Sequence, residues 1–319
     1  MRLAFAGLRH GHIFGLYDAA VKHPDVTIAG AWEEDEAARA AAKARMDVPF
    51  YDSFDALLAD ETVDAVAVGD YYGIRRDRIV RALKTGRSVI CDKPLCVSQL
   101  ELDEIESLSL EKRLRVQCML DLRYDPAVNL ARRLVREGRL GVIHAVDFTG
   151  QHPLSYGVRP MWYFEAGKHG GTINDIAIHG IDAIRYITGA EFVRPVAARE
   201  WNAFAVKAPD FKDCAQFMAE FESGMGVAAD VSYAAQTATA FSMPSYWRFN
   251  FWGDAGALEF RVGEPRVTLA ERENALETLE AAPVHGGWLD DFLRPFDADE
   301  QRDTFASQRA VLRIEEAAR

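Results

Sequence analysis

Asp175 and His179 stand four residues apart within Gly170-Gly171-Thr172-Ile173-Asn174-Asp175-Ile176-Ala177-Ile178-His179-Gly180-Ile181-Asp182. On a helix that spacing makes the two side chains neighbours, so one carboxylate can orient, or share a proton with, one imidazole. An imidazole titrates near neutral pH, which suits general acid–base work. A pair that merely solubilises a helix face has the same spacing, so its meaning depends on the rest of the chain. Lys93 is the third residue of this kind. Ser88-Val89-Ile90-Cys91 reads as a strand that delivers Asp92-Lys93-Pro94 at its carboxyl end. An ammonium held there can hydrogen-bond a substrate oxygen and stabilise the charge that develops on it.

These residues need elements to hold them. Thr172 and Asn174 after two glycines signal a helix start, and Gly189 signals its stop. Ile173, Ala177, Ile181 and Ile184 form its apolar stripe, with Asp175, His179, Asp182 and Tyr186 on a different face. At the amino end, residues 2–6 read as a strand, Gly7 to Gly11 as a turn opening a helix to about Lys22, and 26–32 as a second strand ending at Glu33 and Glu34. This is the layout of a dinucleotide-binding βαβ unit. Glu33 has the spacing to accept hydrogen bonds from ribose hydroxyls and to repel a 2′-phosphate, which favours NAD over NADP. The glycine pattern is imperfect, because Arg9 stands where the second glycine of G-x-G-x-x-G belongs; its guanidinium can crowd the phosphates or pair with them. His10 and His12 have no matching carboxylate or cysteine nearby in sequence, so no metal is expected there.

Strand and helix go on alternating through 63–68, 75–84, 88–91 and 114–119, and Ser98 to Glu101 reads as a capping box. Ligands of open parallel sheets bind outside the carboxyl ends of the strands. Gly7, Arg9, His10, Gly11, His12, Glu33, Asp70, Tyr71, Asp92 and Lys93 are therefore the candidate cofactor contacts. From residue 142 the pattern changes to longer alternating strands (142–150, 195–205, 214–221, 226–232, 247–252, 256–260, 266–270) with few helices between them. That pattern reads as an α+β domain with a large, mainly antiparallel sheet. The expected division is 1–122 and 123–319, with a final amphipathic helix from Asp303 packing back on the first domain. A loop rich in aromatic and polar residues, Gln151 through Phe164, suits a sugar-like ring. Arg123, His152, Tyr156, Trp162 and His169 are the candidate substrate contacts. One face of a broad sheet needs cover, so a homodimer or homotetramer is expected.

Composition narrows the partners. The 319 residues carry 49 acidic against 37 basic side chains, a net charge of −12 spread along the chain, which argues against nucleic acid or an anionic membrane. No apolar run is long enough to span a bilayer and no secretory signal is evident, so the expected location is cytoplasmic. The four cysteines form no CxxC pair and read as reduced residues in or near the core.

Taken together, the βαβ unit with Glu33, Asp92-Lys93-Pro94, Arg123-Tyr124-Asp125-Pro126, Gly138-Arg139-Leu140-Gly141, the Gly170 to Asp182 stretch and the Trp252-Gly253 to Phe260 hairpin resemble the glucose–fructose oxidoreductase / inositol dehydrogenase (Gfo/Idh/MocA) family. The resemblance implies a Rossmann domain followed by an open-faced α+β domain. It matches Lys93, Asp175 and His179 to the family's catalytic lysine, aspartate and histidine. It also implies NAD-dependent interconversion of a secondary hydroxyl and a ketone on a sugar, cyclitol or related polyol. Two alternatives go with it: a redox-neutral glycosidase that holds NAD, and a non-catalytic sugar or nucleotide sensor. Arg9 and the Gly69-Asp70-Tyr71-Tyr72 segment depart from the family pattern at the cofactor positions.

Overall fold

Leu3, Ala4, Phe5 and Ala6 of the first strand are fully buried, as in a strand covered on both faces. In the computed structural model, which describes residues 1–236 and 246–319, the chain forms two units. The first comprises Met1–Met119, Pro160–Gly170 and Gly286–Phe305; the second comprises Leu120–Arg159, Gly171–His285 and Ala306–Arg319. This differs from a single boundary at 122/123. Two later segments belong to the amino-terminal unit, because Trp162 and Tyr163 pack on Tyr72 and because Leu289 and Phe292 enter its core.

The first unit is built on β1 (Arg2–Ala6), α1 (Ile13–Lys22), β2 (Thr27–Trp32), α2 (Glu36–Lys43), α3 (Phe54–Ala59), β3 (Ala65–Val68), α4 (Tyr72–Lys84), β4 (Ser88–Asp92), α5 (Gln99–Lys112) and β5 (Val116–Met119). The strands pair in the order β2-β1-β3-β4-β5, all parallel. The order reverses between β1 and β3, so the turns after those strands, at Gly7 and at Gly69-Asp70, flank the position where such sheets bind ligands. Asp35, Ser53 and Ser98 cap α2, α3 and α5, each accepting from a backbone N–H of the first turn. Glu101 reaches back to the N–H of Val97 rather than to that of Ser98. Helix α4 starts at Tyr72, three residues before the expected Arg75. The N–H of Gly73 in its first turn donates to Lys168 O at 3.0 Å, a partner that no local signal reveals.

The second unit contains α6 (Pro126–Arg136), β6 (Ile143–Pro153), a π-helical turn (Ile173–Ala177) running into α7 (Ile178–Thr188), β7 (Phe192–Trp201), β8 (Cys214–Phe221), β9 (Gly226–Ala235), β10 (Trp247–Gly253), β11 (Gly256–Arg261), β12 (Arg266–Glu271) and β13 (Glu277–Glu280). Its sheet runs β13-β12-β11-β10-β6-β9-β8-β7 and is antiparallel except where β6 pairs with β9. Phe148, Phe249, Phe251 and Phe260 stack along the buried face, to which α6 and α7 contribute the cover. Strand β13, Glu-Thr-Leu-Glu, was not expected from the sequence. It is a polar edge strand without the apolar alternation that marks a half-buried one. After it, α8 (Trp288–Phe292) buries Leu289 and Phe292 in the core of the first unit. Helix α9 (Ala298–Ala317) begins in the first unit and continues into the second. All four cysteines are free and buried.

Candidate functional site

Each unit carries its own cluster of chemistry-bearing side chains. In the first unit the Gly7 turn comes first. Gly7 has φ +72°, and a Cβ there would lie 2.5 Å from the Cβ of Asp70, so only glycine lets β1 and β3 end this close together. Helix α1 then opens at His12 with no side chain capping it, which leaves the amide-rich end suited to a phosphate. These features fit the pyrophosphate of a dinucleotide. Glu33, expected to accept from ribose hydroxyls, is fully buried, accepting from the N–H of Leu8 at 2.5 Å and that of Asp35 at 2.8 Å, with Arg9 Nε 3.2 Å away. The Arg9 guanidinium also pairs with Glu34 and lies 3.1 Å from Asp70. Arg78 reaches the same two carboxylates at 3.1 and 3.3 Å. Burial pushes the Glu33 and Asp70 carboxyls above their usual range, partly offset by hydrogen bonds and by Arg9. The half-exposed carboxylate at this rim is Glu34.

Beside it, the ends of β1 and β4 meet through side chains. His10 Nδ1 is bonded to Asp92, and its Nε2 lies 2.6 Å from the Tyr163 hydroxyl, itself 3.0 Å from that of Tyr72. Burial pushes His10 down to about 4 against the pull of Asp92. Burial acts to raise Asp92, but His10, His12 and Arg75 outweigh it and hold the carboxyl well below its usual range. The fully buried Arg75 donates to the carbonyls of Asp92 (2.7 Å) and Pro94 (2.8 Å), and so brackets Lys93, which is itself buried. The carboxylate that the sequence lacked near His10 and His12 is thus Asp92, 82 and 80 residues away. The three present ligand-type atoms within 4.8 Å of one another. Arg75 already neutralises Asp92 and both His10 nitrogens sit in hydrogen bonds, so the arrangement is a relay of donors and acceptors.

The segment 160–170 completes this cluster. Trp162 and Tyr163 stack at 4.1 Å, Trp162 Nε1 donates to the carbonyl of Arg9, and His169 lies 5.4 Å from the Tyr72 ring. Trp162 and His169, expected among the substrate contacts of the second domain, therefore pack in the first unit beside the Gly7 turn.

In the second unit the helix expected from Thr172 begins as a π turn, the widened form that recurs at functional sites. Two remote carboxylates anchor its start. Glu200 of β7 accepts from the N–H of Ile173 at 2.8 Å, and Glu315 of α9 accepts from that of Asn174 at 3.1 Å. Gly171, at φ +108°, admits Glu315, because a Cβ there would fall 1.9 Å from its Oε1. Asp175, 2% exposed, accepts from the hydroxyl of Tyr233 on β9. The His179 ring lies 5.9 Å from Trp247, and His152 lies 6.1 Å from Trp247 and 6.4 Å from Tyr233. Asp175, His179 and His152 thus share a wall of two aromatic rings, Tyr233 and Trp247. Arg123 is engaged elsewhere in a two-pronged pair with Asp182 at 2.7 and 2.8 Å, and Tyr156 has Lys207 over its ring. Tyr233, Trp247, Tyr163, Tyr72 and Arg75 were not among the candidate site residues read from the sequence. Aromatic residues in apolar strands look like core, and Arg75 looks like a solvated helix residue.

A parallel sheet with this strand order and a glycine turn at the reversal has the architecture of a dinucleotide-binding Rossmann domain, and a mainly antiparallel sheet follows it. Residues 1–120 match the model of an oxidoreductase family with an NAD-binding Rossmann fold, and residues 128–259 match the GFO/IDH/MocA C-terminal domain. The chain belongs to the Gfo/Idh/MocA family of oxidoreductases, and NAD is the cofactor of its first unit. Inositol 2-dehydrogenase 2 of Saccharopolyspora erythraea is 27% identical over 79% of this chain and 68% of its own length. Levoglucosan dehydrogenase of Pseudarthrobacter phenanthrenivorans is 25% identical over 72% of this chain and 65% of its own length. The chain spans about two thirds or less of the length of the curated relatives it matches. A solved structure from Erwinia carotovora atroseptica shares the fold, with a TM-score of 0.88 at 24% identity over 100% of this chain and 99% of that one. The described residues contain no helix long and apolar enough to cross a membrane.

Proposed function

We propose that this protein is an NAD-dependent dehydrogenase that interconverts a secondary hydroxyl and a ketone on a sugar, a cyclitol or a related polyol. The observation that carries the reading is the buried Asp175 at the π turn, bonded to Tyr233, with His179 following on α7 beside Trp247. The aromatic wall suits the apolar face of a sugar ring, and the imidazole suits its hydroxyl proton. His179 takes the hydroxyl proton, Asp175 and Tyr233 fix the start of the helix that carries it, and Lys93 stabilises the developing alkoxide. Bound at the Gly7 turn, NAD would supply the acceptor for the hydride that leaves the carbon. At its adenosine end, Glu33, Glu34 and Asp70 outnumber Arg9 and Arg78, a balance that disfavours a 2′-phosphate. The dehydrogenases of inositol and levoglucosan among the relatives support the substrate class. Among the described residues, Met218 and Trp252 are exposed on the β6–β13 sheet, which supports a homo-oligomer.

The test is NADH formation across a panel of polyols and aldoses, repeated with His179→Ala and Lys93→Met. Losses in kcat on the order of 100-fold or more are expected. NAD affinity by calorimetry should stay nearly unchanged in His179→Ala. Wild-type turnover in both variants would reject the assignment.

A further inference from the structure

Five contacts converge next to Lys93, two on the carbonyls that flank it and three on the Asp92 carboxylate, and two of the five come from histidines at the phosphate turn. Arg75 holds the carbonyls on either side of Lys93, at Asp92 and Pro94. The Asp92 carboxylate, one residue before Lys93, is held by Arg75 Nη2 at 3.2 Å, by His12 Nδ1 at 3.3 Å and by His10 Nδ1. The direction of the hydrogen bonds follows from charge. Arg75 keeps Asp92 ionised, so the carboxylate only accepts and His10 must carry its proton on Nδ1. Neutral His10 then has a lone pair on Nε2, which accepts from the Tyr163 hydroxyl at 2.6 Å, and the Tyr163 oxygen in turn accepts from Tyr72. A second proton on His10 would place a donor against the Tyr163 hydroxyl and force the chain to reverse.

We propose that His10 is a positioning residue for Lys93. Its Nδ1–H fixes Asp92, and with it the backbone that presents the ammonium. Its Nε2 fixes Tyr163, so the phosphate turn, the lysine turn and segment 160–170 are held as one piece. The departure from the glycine fingerprint then has a use. Arg9 ties the turn to the ends of β2 and β3, and His10 ties it to the end of β4. The ring of His10 is 5% exposed and packs edge-on to Tyr72 at 5.4 Å and to Trp162 at 6.0 Å, so it acts through Asp92 rather than on substrate. This inference rests on the catalytic role of Lys93 proposed above.

Two measurements on the full chain test it. In protein labelled with ¹⁵N-histidine, the His10 signal, assigned by its loss in His10→Phe, should show a protonated Nδ1 and an unprotonated Nε2 at pH 7. The opposite tautomer or an imidazolium overturns the proposal without any assay of turnover. The second is a kinetic cycle with His10→Phe, His10→Asn, Lys93→Met and the His10→Phe/Lys93→Met double variant, each first confirmed as folded by its thermal transition. His10→Phe keeps a ring and removes both nitrogens. It should lower kcat on the order of 10- to 100-fold, as a displaced catalytic group does, with the NAD Kd within about 3-fold of wild type. His10→Asn, which keeps an N–H toward Asp92, should retain more of kcat. In the Lys93→Met background His10→Phe should cost nothing further. An unchanged kcat in His10→Phe, or losses that multiply in full in the double variant, overturns the positioning role alone. Wild-type kcat in Lys93→Met removes the catalytic reading of that lysine, and this inference with it.

Discussion

Arg9 lies with its Nε 3.2 Å from the Glu33 carboxylate, inside a turn where a dinucleotide fingerprint would place glycine. The same nitrogen is 3.1 Å from Asp70, so one guanidinium separates two carboxylates that the ends of β2 and β3 bury together. Burial lowers the pKa of Arg9 itself, but Asp70 and Glu33 outweigh it and raise the group above its ordinary value. Removing one member of a buried ionic group leaves the others uncompensated. Arg9→Ala should therefore destabilise the protein by about 2 kcal/mol, less than a fully isolated pair loses, because Arg78 still serves Asp70. The measurement is the urea midpoint at neutral pH. A midpoint equal to wild type would show that the network adds nothing to the fold.

The start of the π turn gives a prediction about pH. The Glu315 carboxyl is buried next to Glu200 and held well above its usual range by burial, by that neighbouring charge and by a hydrogen bond from the pair; the N–H of Asn174 and Arg319 oppose this. A carboxyl raised in the fold binds a proton that the unfolded chain releases. Its stabilisation is present below the ordinary value of 4.5 and is lost as pH rises from there through the folded pKa. Glu315→Gln keeps the shape of the side chain and removes this titration. Relative to Glu315→Gln, wild type should lose stability steadily as pH is raised from about 4.5 toward 8, as read from urea midpoints at several pH values. Parallel curves for the two proteins would show that Glu315 is not protonated in the fold.

What the sequence disclosed about the site divides along physical lines. The strand end that carries Lys93 was legible because a buried strand followed by proline is a local signal, and the helix that carries His179 was legible because helical periodicity is local too. The π turn was not, since it is anchored by Glu200 and Glu315, which only the folded chain brings to residues 173 and 174. The pairing of His10 with Asp92 was hidden by distance along the chain. The excursion of residues 160–170 into the first unit was hidden because Trp162, Tyr163 and His169 read as well against a sugar as against Tyr72. Strand positions in the second half were close to those observed, because alternation reports a half-buried face directly. Spacing places Glu33 at the end of β2, whereas its hydrogen bonds with the N–H groups of Leu8 and Asp35 and its pair with Arg9 appear only in the fold.

Tyr233 supplies the last prediction. Its hydroxyl donates to the buried Asp175 carboxylate, and its ring lies 6.4 Å from that of His152. Tyr233→Phe keeps the ring and loses only the hydroxyl. It should cost on the order of 2 kcal/mol in stability, typical of a bond to a charged group and read from the urea midpoint. With Asp175 orienting the helix start that carries His179, it should also lower kcat on the best polyol on the order of 10-fold, with the NAD Kd within about 3-fold of wild type. A structural role alone would lower the urea midpoint and leave kcat in place. An unchanged kcat would therefore separate Asp175 from the chemistry and leave His179 to act without it.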